Sequence, residues 1–257
     1  MQPERPAAWS EDESHAFLDQ GRFFVPDREE QIDTVVRLVP DPGDGHLLDL
    51  CCGEGLLSKA LLERFPNASV HGLDGSEAML ARAKETLSSF GDRFEARAFD
   101  LADAAWRSFP WPVHGVVSSL AVHHLDDREK RRLYRDLAGL LVPGGVLVIA
   151  DLIQPAHALG TAVAAAAWDE AVRRRSLELA GNLAPYNTFR DTGWNLYAMI
   201  EPDPYDKPSR LLDHLHWLGQ AGFVDVDVYW LKAGHAIYGG VKPESRKSLP
   251  ESRIPAS

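Results

Sequence analysis

His46-Leu47-Leu48-Asp49-Leu50-Cys51-Cys52-Gly53-Glu54-Gly55 is the stretch that decides the fold. An apolar run ends in an acid, a turn of small residues follows, and apolar side chains then recur at Leu57, Leu61 and Leu62, a helical spacing. The pattern reads as buried strand, tight turn, helix. Glycines in such a turn let backbone N–H groups and a helix N-terminus approach whatever lies above the strand end, so the turn is a candidate ligand cradle.

Outward from this unit, strand and helix alternate with few breaks. Strands are expected at 46–50, 68–74, 93–99, 113–119 and 145–151, and helices at 55–64, 77–89 and 127–140. This alternation implies an α/β fold with a doubly wound, mostly parallel sheet covered by helices on both faces. Pro143-Gly144-Gly145 is expected to end the last crossover before the strand resumes at Val146. Upstream, helices at 11–20 and 27–39 flank Arg22-Phe23-Phe24-Val25-Pro26, which makes 1–40 a helical lid. Phe23 and Phe24 are either a cover over a ligand or packing anchors, and both are carried as candidate substrate contacts.

Past Asp151 the rhythm breaks. An alanine-rich helix, 158–180, carries Trp168, and 181–206 is then crowded with aromatic and polar side chains, Asp203 and Tyr205 among them. A stretch of that mixed character, without clean periodicity, is a candidate pocket wall. Residues 155–207 are therefore expected to form a substrate cap within a domain spanning 41–242, with Tyr186, Asn187, Arg190, Trp194 and Asn195 as its contacts. A helix is expected at 208–221. The runs 223–231 and 235–241 read as an antiparallel hairpin, because the link Lys232-Ala233-Gly234 is too short for a parallel crossover. Residues 1–10 are expected to be loose and the tail, 243–257, flexible.

At 257 residues with 45% hydrophobic and 25% charged content, the chain fits one globular domain with a smaller appendage. A formal charge of −11 argues against broad binding to nucleic acid or anionic membranes. The basic runs Lys130-Arg131-Arg132 and Arg173-Arg174-Arg175 read as solvated helix faces. Cys51 and Cys52 are adjacent, which disfavours an ordinary structural disulfide. With no signal-peptide pattern at the N-terminus, the expected location is cytoplasmic. The longest apolar stretch, 158–168, is shorter than the ~20 residues of a membrane span.

The second strand ends in Gly72-Leu73-Asp74, roughly the 20-odd residues after the first at which a ribose-binding acid is expected, and the third ends in Ala98-Phe99-Asp100-Leu101. Consecutive strands finishing in Asp make an acidic rim. Carboxylates there suit ribose hydroxyls, an ammonium group and an adenine amine, and repel pyrophosphate.

These residues resemble the class I S-adenosylmethionine-dependent methyltransferases over about 46–151, and Ala221-Gly222-Phe223 through Gly240 is similar to the family's last helix and hairpin. The resemblance implies a Rossmann-like, seven-stranded, mostly parallel sheet with an antiparallel C-terminal hairpin. It implies S-adenosyl-L-methionine as cofactor, S-adenosyl-L-homocysteine as product, and methyl transfer to an O, N or S atom of a small molecule. Carried over by residue, Asp49, Cys51, Gly53 and Gly55 border the methionine part; Asp74 accepts from both ribose hydroxyls, with Gly75 after it a further cofactor-binding position. Met79 packs on the adenine, Asp100 accepts from its amine, Leu101 offers backbone, and Ser118 and Ser119 flank the methionine tail. Cys51 departs from the pattern, where glycine is commoner; it is read as a turn filler, with a reactive thiol as the alternative.

His123-His124 resembles the paired histidines of small-molecule members. His123 is expected to face the methyl donor and acceptor as base or orienting group, and His124 to pack inward. His214 and His235 are further substrate-side candidates. His214 and His216 point to different sides of a helix, and no metal site is expected. Two other readings stand beside this one: a carboxy-S-adenosylmethionine synthase-like enzyme, and a non-catalytic cofactor-binding module. Nucleic-acid methylation is disfavoured, since Ser118-Ser119-Leu120-Ala121 stands where base-amino methyltransferases resemble an Asn/Asp-Pro-Pro-aromatic tetrapeptide. Acceptor and oligomeric state are left open.

Overall fold

The computed structural model describes residues 10–199 and 205–244; the expectations for 1–9, Asp203 and 245–257 fall outside them. The chain opens with α1 (Glu11–Phe24), started by a reciprocal Ser10–Glu13 capping box, and α2 (Arg28–Leu38). An alternating series follows: β1 (His46–Leu50), α3 (Leu56–Arg64), β2 (Ser69–Asp74), α4 (Glu77–Thr86), β3 (Phe94–Ala98), β4 (Val113–Ser119), α5 (Asp127–Leu140) and β5 (Leu141–Leu152). Then come α6 (Ala158–Ala180), α7 (Ala184–Asp191), α8 (Leu211–Gln220), β6 (Val224–Lys232) and β7 (His235–Val241).

The strands form one seven-stranded sheet in the order β3-β2-β1-β4-β5-β7-β6. β1 to β5 pair in parallel, while β7 runs antiparallel to both β5 and β6. This is the Rossmann-like sheet with its C-terminal hairpin. Strand order reverses between β1 and β4, where Leu50 lies beside Ser118, and ligands bind outside the strand ends at such a switch point. Side chains alternate across the pleat: Leu48, Leu50, Val116 and Leu147 join Tyr134 and Trp217 in a core under α5 and α8. Leu47, Val117, Val146 and Val148 face the other way, onto Val35 of α2 and Leu61 of α3.

Pro143-Gly144-Gly145 does not separate helix from strand as expected but lies inside β5. The register against β4 shifts between Val113 and Gly115, and the bulged backbone is stitched to the chain beyond β7 by Gly144 N–H to Lys242 O and Lys242 N–H to Gly145 O, both 2.8 Å.

A third apolar cluster joins the N-terminal helices to α6 and α7 through Phe23, Phe24, Trp168, Phe189 and Tyr197. The Trp168 indole donates to Phe24 O at 2.7 Å, and Arg175 donates to Arg22 O at 2.7 Å and to Glu29 at 2.8 Å. The basic runs are accordingly not simply solvated faces. Arg175 is buried in that junction, and Lys130 is buried between α5 and Ser209, whose hydroxyl it meets at 2.7 Å. Burial lowers the Lys130 ammonium to about 8, with Asp151, Asp127 and Asp126 opposing. Among the described residues no helix is long and apolar enough to cross a membrane.

Candidate active site

A cavity of about 530 Å³ opens above the ends of β1, β2 and β4, within the range usual for small-ligand sites. Its floor is the β1–α3 turn. Cys51, Gly53 and Gly55 have φ of 55°, 55° and 84°, so the chain coils back on itself and Gly53 N–H donates to Asp74 at 2.8 Å. Gly55 does not line the cavity. Its lack of a side chain serves packing, since a Cβ there would lie 2.8 Å from Leu87.

The acids of the rim fall where the strand-end pattern puts them. Asp49, Asp74 and Asp100 all line the cavity, with Cys51, Gly53, Gly75, Met79 and Leu101. Asp49 accepts from the Ser58 hydroxyl at 2.7 Å; burial pushes its carboxyl up to about 7, with Ser58 opposing and the Asp74 charge adding. The second Asp74 oxygen accepts from Ser76 N–H at 2.9 Å, and burial raises its carboxyl despite these bonds. Cys51 and Cys52 are free thiols, and burial with the surrounding carboxylates pushes both well above the ordinary thiol range. That fits the turn-filler reading and speaks against a thiolate.

At the end of β4, Ser118 and Ser119 separate. Ser118 is buried with its hydroxyl donating to Leu50 O at 2.9 Å, while Ser119 reaches the cavity wall with Leu120, a bulky residue at φ 56°. The histidines then take the reverse of the expected orientation: His124 lines the cavity and His123 does not. They sit on a single 3-10 turn, Val122–His124, which aims the first ring back at β5. Asp151 accepts from His123 Nδ1 at 2.5 Å and from His123 N–H at 2.8 Å. Asp206 lies 3.4 Å from His123 Nε2 and 3.1 Å from His124 Nδ1. Burial alone would lower His123, but Asp151 and Asp206 outweigh it and push the imidazole up to about 10. Burial lowers His124, and the His123 charge adds to that.

The facing wall comes from Phe17, Arg28 and Ile32 of α1 and α2 and from Tyr205 and Lys207. Phe23 and Phe24 lie instead in the apolar cluster shared with α6 and α7, where Phe24 packs 5.2 Å from the Phe189 ring. None of Tyr186, Asn187, Arg190, Trp194 and Asn195 lines the cavity. Asn187 and Arg190 are exposed on α7, Tyr186 and Trp194 pack against the cluster, and Asn195 is buried, donating to Ala165 O at 2.9 Å. Aromatic residues were needed there to make a core. Neither His214 nor His235 lines the cavity: His214 is buried beside Trp217 and Tyr238, 2.6 Å from the Tyr134 hydroxyl, and His235 packs edge-on to Trp168. Burial pushes both imidazoles down to about 4.

Arg28 and Lys207 escaped the sequence reading. Arg28 had a usable signal: it precedes Ile32 by one helical turn, so both fall on the face turned to the core. Lys207, after an irregular segment, had none. The Arg28 Nη1 is buried and has no hydrogen-bond partner among the described residues. Arg28 lines the same cavity as Asp49, Asp74 and Asp100, and a guanidinium with an unmatched buried nitrogen together with these carboxylates fits a ligand with a carboxylate, an ammonium group and ribose hydroxyls, which S-adenosylmethionine carries.

Residues 47–145 match a family model described as a methyltransferase domain. The chain belongs to the class I S-adenosylmethionine-dependent methyltransferases, and S-adenosylmethionine is its cofactor. In particular it is similar to the trans-aconitate 2-methyltransferase of Variovorax paradoxus, with 36% identity over 218 residues covering 79% of each chain. That of Paracidovorax citrulli is 31% identical over 219 residues, again 79% of each. Among solved structures, an O-methyltransferase family protein from Burkholderia thailandensis superposes with a TM-score of 0.64 at 18% identity, over 95% of this chain and 66% of that one. The phosphoethanolamine N-methyltransferase 2 of Haemonchus contortus, in complex with S-adenosylmethionine, gives 0.60 at 15%, over 91% of this chain and 58% of that one. The chain thus spans less than two thirds of either structure's length, and these likenesses establish the fold.

Proposed function

We propose that this methyltransferase acts on a small molecule, and that the acceptor atom is a carboxylate oxygen of a small polycarboxylic acid of the trans-aconitate type. The observation that carries the reading is Lys207, a cation on the cavity wall beside His124, whose carbonyl it meets at 3.4 Å. The likeness to two trans-aconitate 2-methyltransferases supports it.

Asp49, Asp74 and Asp100 receive the donors of the cofactor, and Arg28 pairs with its carboxylate. The bound cofactor supplies an electrophilic methyl group on a positively charged sulfur. Leu120, Ala121 and Leu125 line the cavity between the two ends and keep water from the transfer path. Lys207 holds a carboxylate of the acceptor and fixes its direction of approach. No proton has to be removed, because a carboxylic acid with a pKa of about 4 is ionised at neutral pH. This agrees with the placement of His123, whose ring nitrogens face Asp151 and Asp206 and which lies off the cavity wall.

Labelled S-adenosylmethionine offered with trans-aconitate and related di- and tricarboxylates should yield a methyl ester. In Lys207→Ala the acceptor KM should rise about 10- to 100-fold, as for a lost hydrogen bond to a charged group, with cofactor affinity unchanged. Absence of ester from every polycarboxylate, or an unchanged acceptor KM in Lys207→Ala, would sink this assignment.

A further inference from the structure

We infer that His123 Nε2, His124 Nδ1 and an Asp206 carboxylate oxygen form a binding site for one divalent transition-metal ion of the Zn²⁺ type, beside the cavity wall that His124 shares with Tyr205 and Lys207. All three atoms lie within 4.8 Å of one another. One Asp206 oxygen is 3.4 Å from His123 Nε2 and 3.1 Å from His124 Nδ1. An ion with bonds of about 2.1 Å and angles between octahedral and tetrahedral spaces neighbouring ligand atoms by about 3.0–3.4 Å. Both contacts fall in that interval, and the longer one exceeds the about 2.7–2.9 Å of a direct charge-assisted hydrogen bond.

The far side of His123 carries a second feature of a ligating imidazole. Its Nδ1 is held at 2.5 Å by Asp151, which is 1% exposed and accepts the His123 backbone N–H through its other oxygen. A carboxylate on the remote ring nitrogen fixes the ring's orientation and aims the other nitrogen at the metal, and the ion takes the place of the Nε2 proton, which is released to solvent on binding. The two segments that supply the ligands are also pinned together: Lys207 N–H donates to His123 O at 2.8 Å, and Lys130 Nζ bonds both Lys207 O and the Ser209 hydroxyl. Such a site is set by the fold and needs no collapse around the ion.

Three protein ligands leave coordination positions for water or a ligand, the pattern of exchangeable rather than closed structural sites. Imidazole with a single carboxylate suits Zn²⁺, Co²⁺ or Fe²⁺ better than Mg²⁺ or Ca²⁺. His124 lines the cavity, and Tyr205 and Lys207 on either side of Asp206 do too, so the site adjoins the space in which an oxygen donor would lie. A carboxylate of the acceptor is the ligand class that fits, a step resting on the function proposed above. The ion would then act as a template that holds one carboxylate while another is methylated.

Chelator-treated full-length protein, titrated with Co²⁺ alone, should develop a visible d–d absorption that saturates at one ion per chain. His124→Ala and Asp206→Asn should weaken this binding at least about tenfold, and Asp151→Asn, behind the ligand, about 10- to 100-fold. No absorption with the wild-type protein, or an unchanged titration in both ligand variants, overturns the site. Should the variants lose native near-ultraviolet circular dichroism, X-ray absorption of the Zn²⁺-loaded wild type decides: two imidazoles in the first shell uphold the site and an all-oxygen shell overturns it. Neither measurement contains cofactor or acceptor, so a failed metal titration and a failed esterification assay remain distinguishable.

Discussion

The cavity wall made by the ends of β1 and β2 and the wall made by α1, α2 and residues 205–207 reach the same space by different routes. On the first, Asp74 is tied to two backbone N–H groups, at 2.8 Å and 2.9 Å, that belong to the turns around it, and Asp49 to Ser58 of the helix it precedes. Their side chains are part of the turn that closes each βα unit. On the second wall Phe17 leans on Trp194 at 6.2 Å, and the Arg28 guanidinium lies 5.2 Å over the Phe17 ring with one nitrogen unmatched among the described residues. Nothing local dictates those residues. The contrast teaches that the acids of the first wall belong to the βα turns of the sheet, while Arg28 and Lys207 of the second come from segments that can change without disturbing it.

Removing a rim carboxylate tests the first wall hardest. Asp74→Ala should weaken S-adenosylmethionine binding about 100-fold or more in calorimetry, since two charge-assisted bonds and the anchor of Gly53 are lost together. An affinity within threefold of wild type would mean that the acidic rim is structural only.

Asp49 gives a smaller effect, read through pH. Its carboxyl sits at about 7 in the free protein, so it is largely protonated below that value and anionic above it. A cationic cofactor favours the anion; affinity should therefore fall as pH drops through 7, by up to about tenfold per unit, and Asp49→Asn should flatten the profile. A wild-type profile flat from pH 6 to about 8 would break the link between Asp49 and the cofactor's positive charge.

The smallest expected effects mark residues that the contrast leaves outside the cavity or treats as filler. Arg190→Ala, on an exposed face of α7, should leave both KM values within about twofold. Cys51→Gly should likewise preserve cofactor affinity, with thermal stability unchanged or slightly raised, because φ of 55° suits glycine better. A large loss in either would move that residue into the site.

Much of the first wall was legible because its signals are local. The run ending at Leu50 is buried on both faces, Leu47 on one and Leu48 and Leu50 on the other, as a covered parallel strand demands, and Asp49 and Asp74 each sit at the strand end that leads into a turn. The family resemblance then supplied the order of the motifs. The cap was less legible, because an aromatic and polar stretch has the same composition whether it lines a pocket or fills a core; Phe24, Trp168 and Phe189 fill a core. Adjacent histidines on a 3-10 turn carry no periodicity from which the ring facing the cavity can be told, so His123 and His124 exchanged places. Asp206 and Asp151, which decide what those rings do, are remote in sequence and meet them only in the folded chain.

The ties between the N-terminal helices and α6 also bear on how the molecule comes into being. Trp168 bonds a carbonyl 144 positions earlier and Arg175 one 153 positions earlier. During synthesis α1 and α2 emerge first, yet their anchoring partners leave the ribosome only when more than half of the chain has been made. The wall bearing Phe17 and Arg28 must therefore wait, with Phe23 and Phe24 uncovered, while the first strands can already pair. A pause in translation ahead of α6 would prolong that exposure, and with it the opportunity for aggregation or chaperone capture.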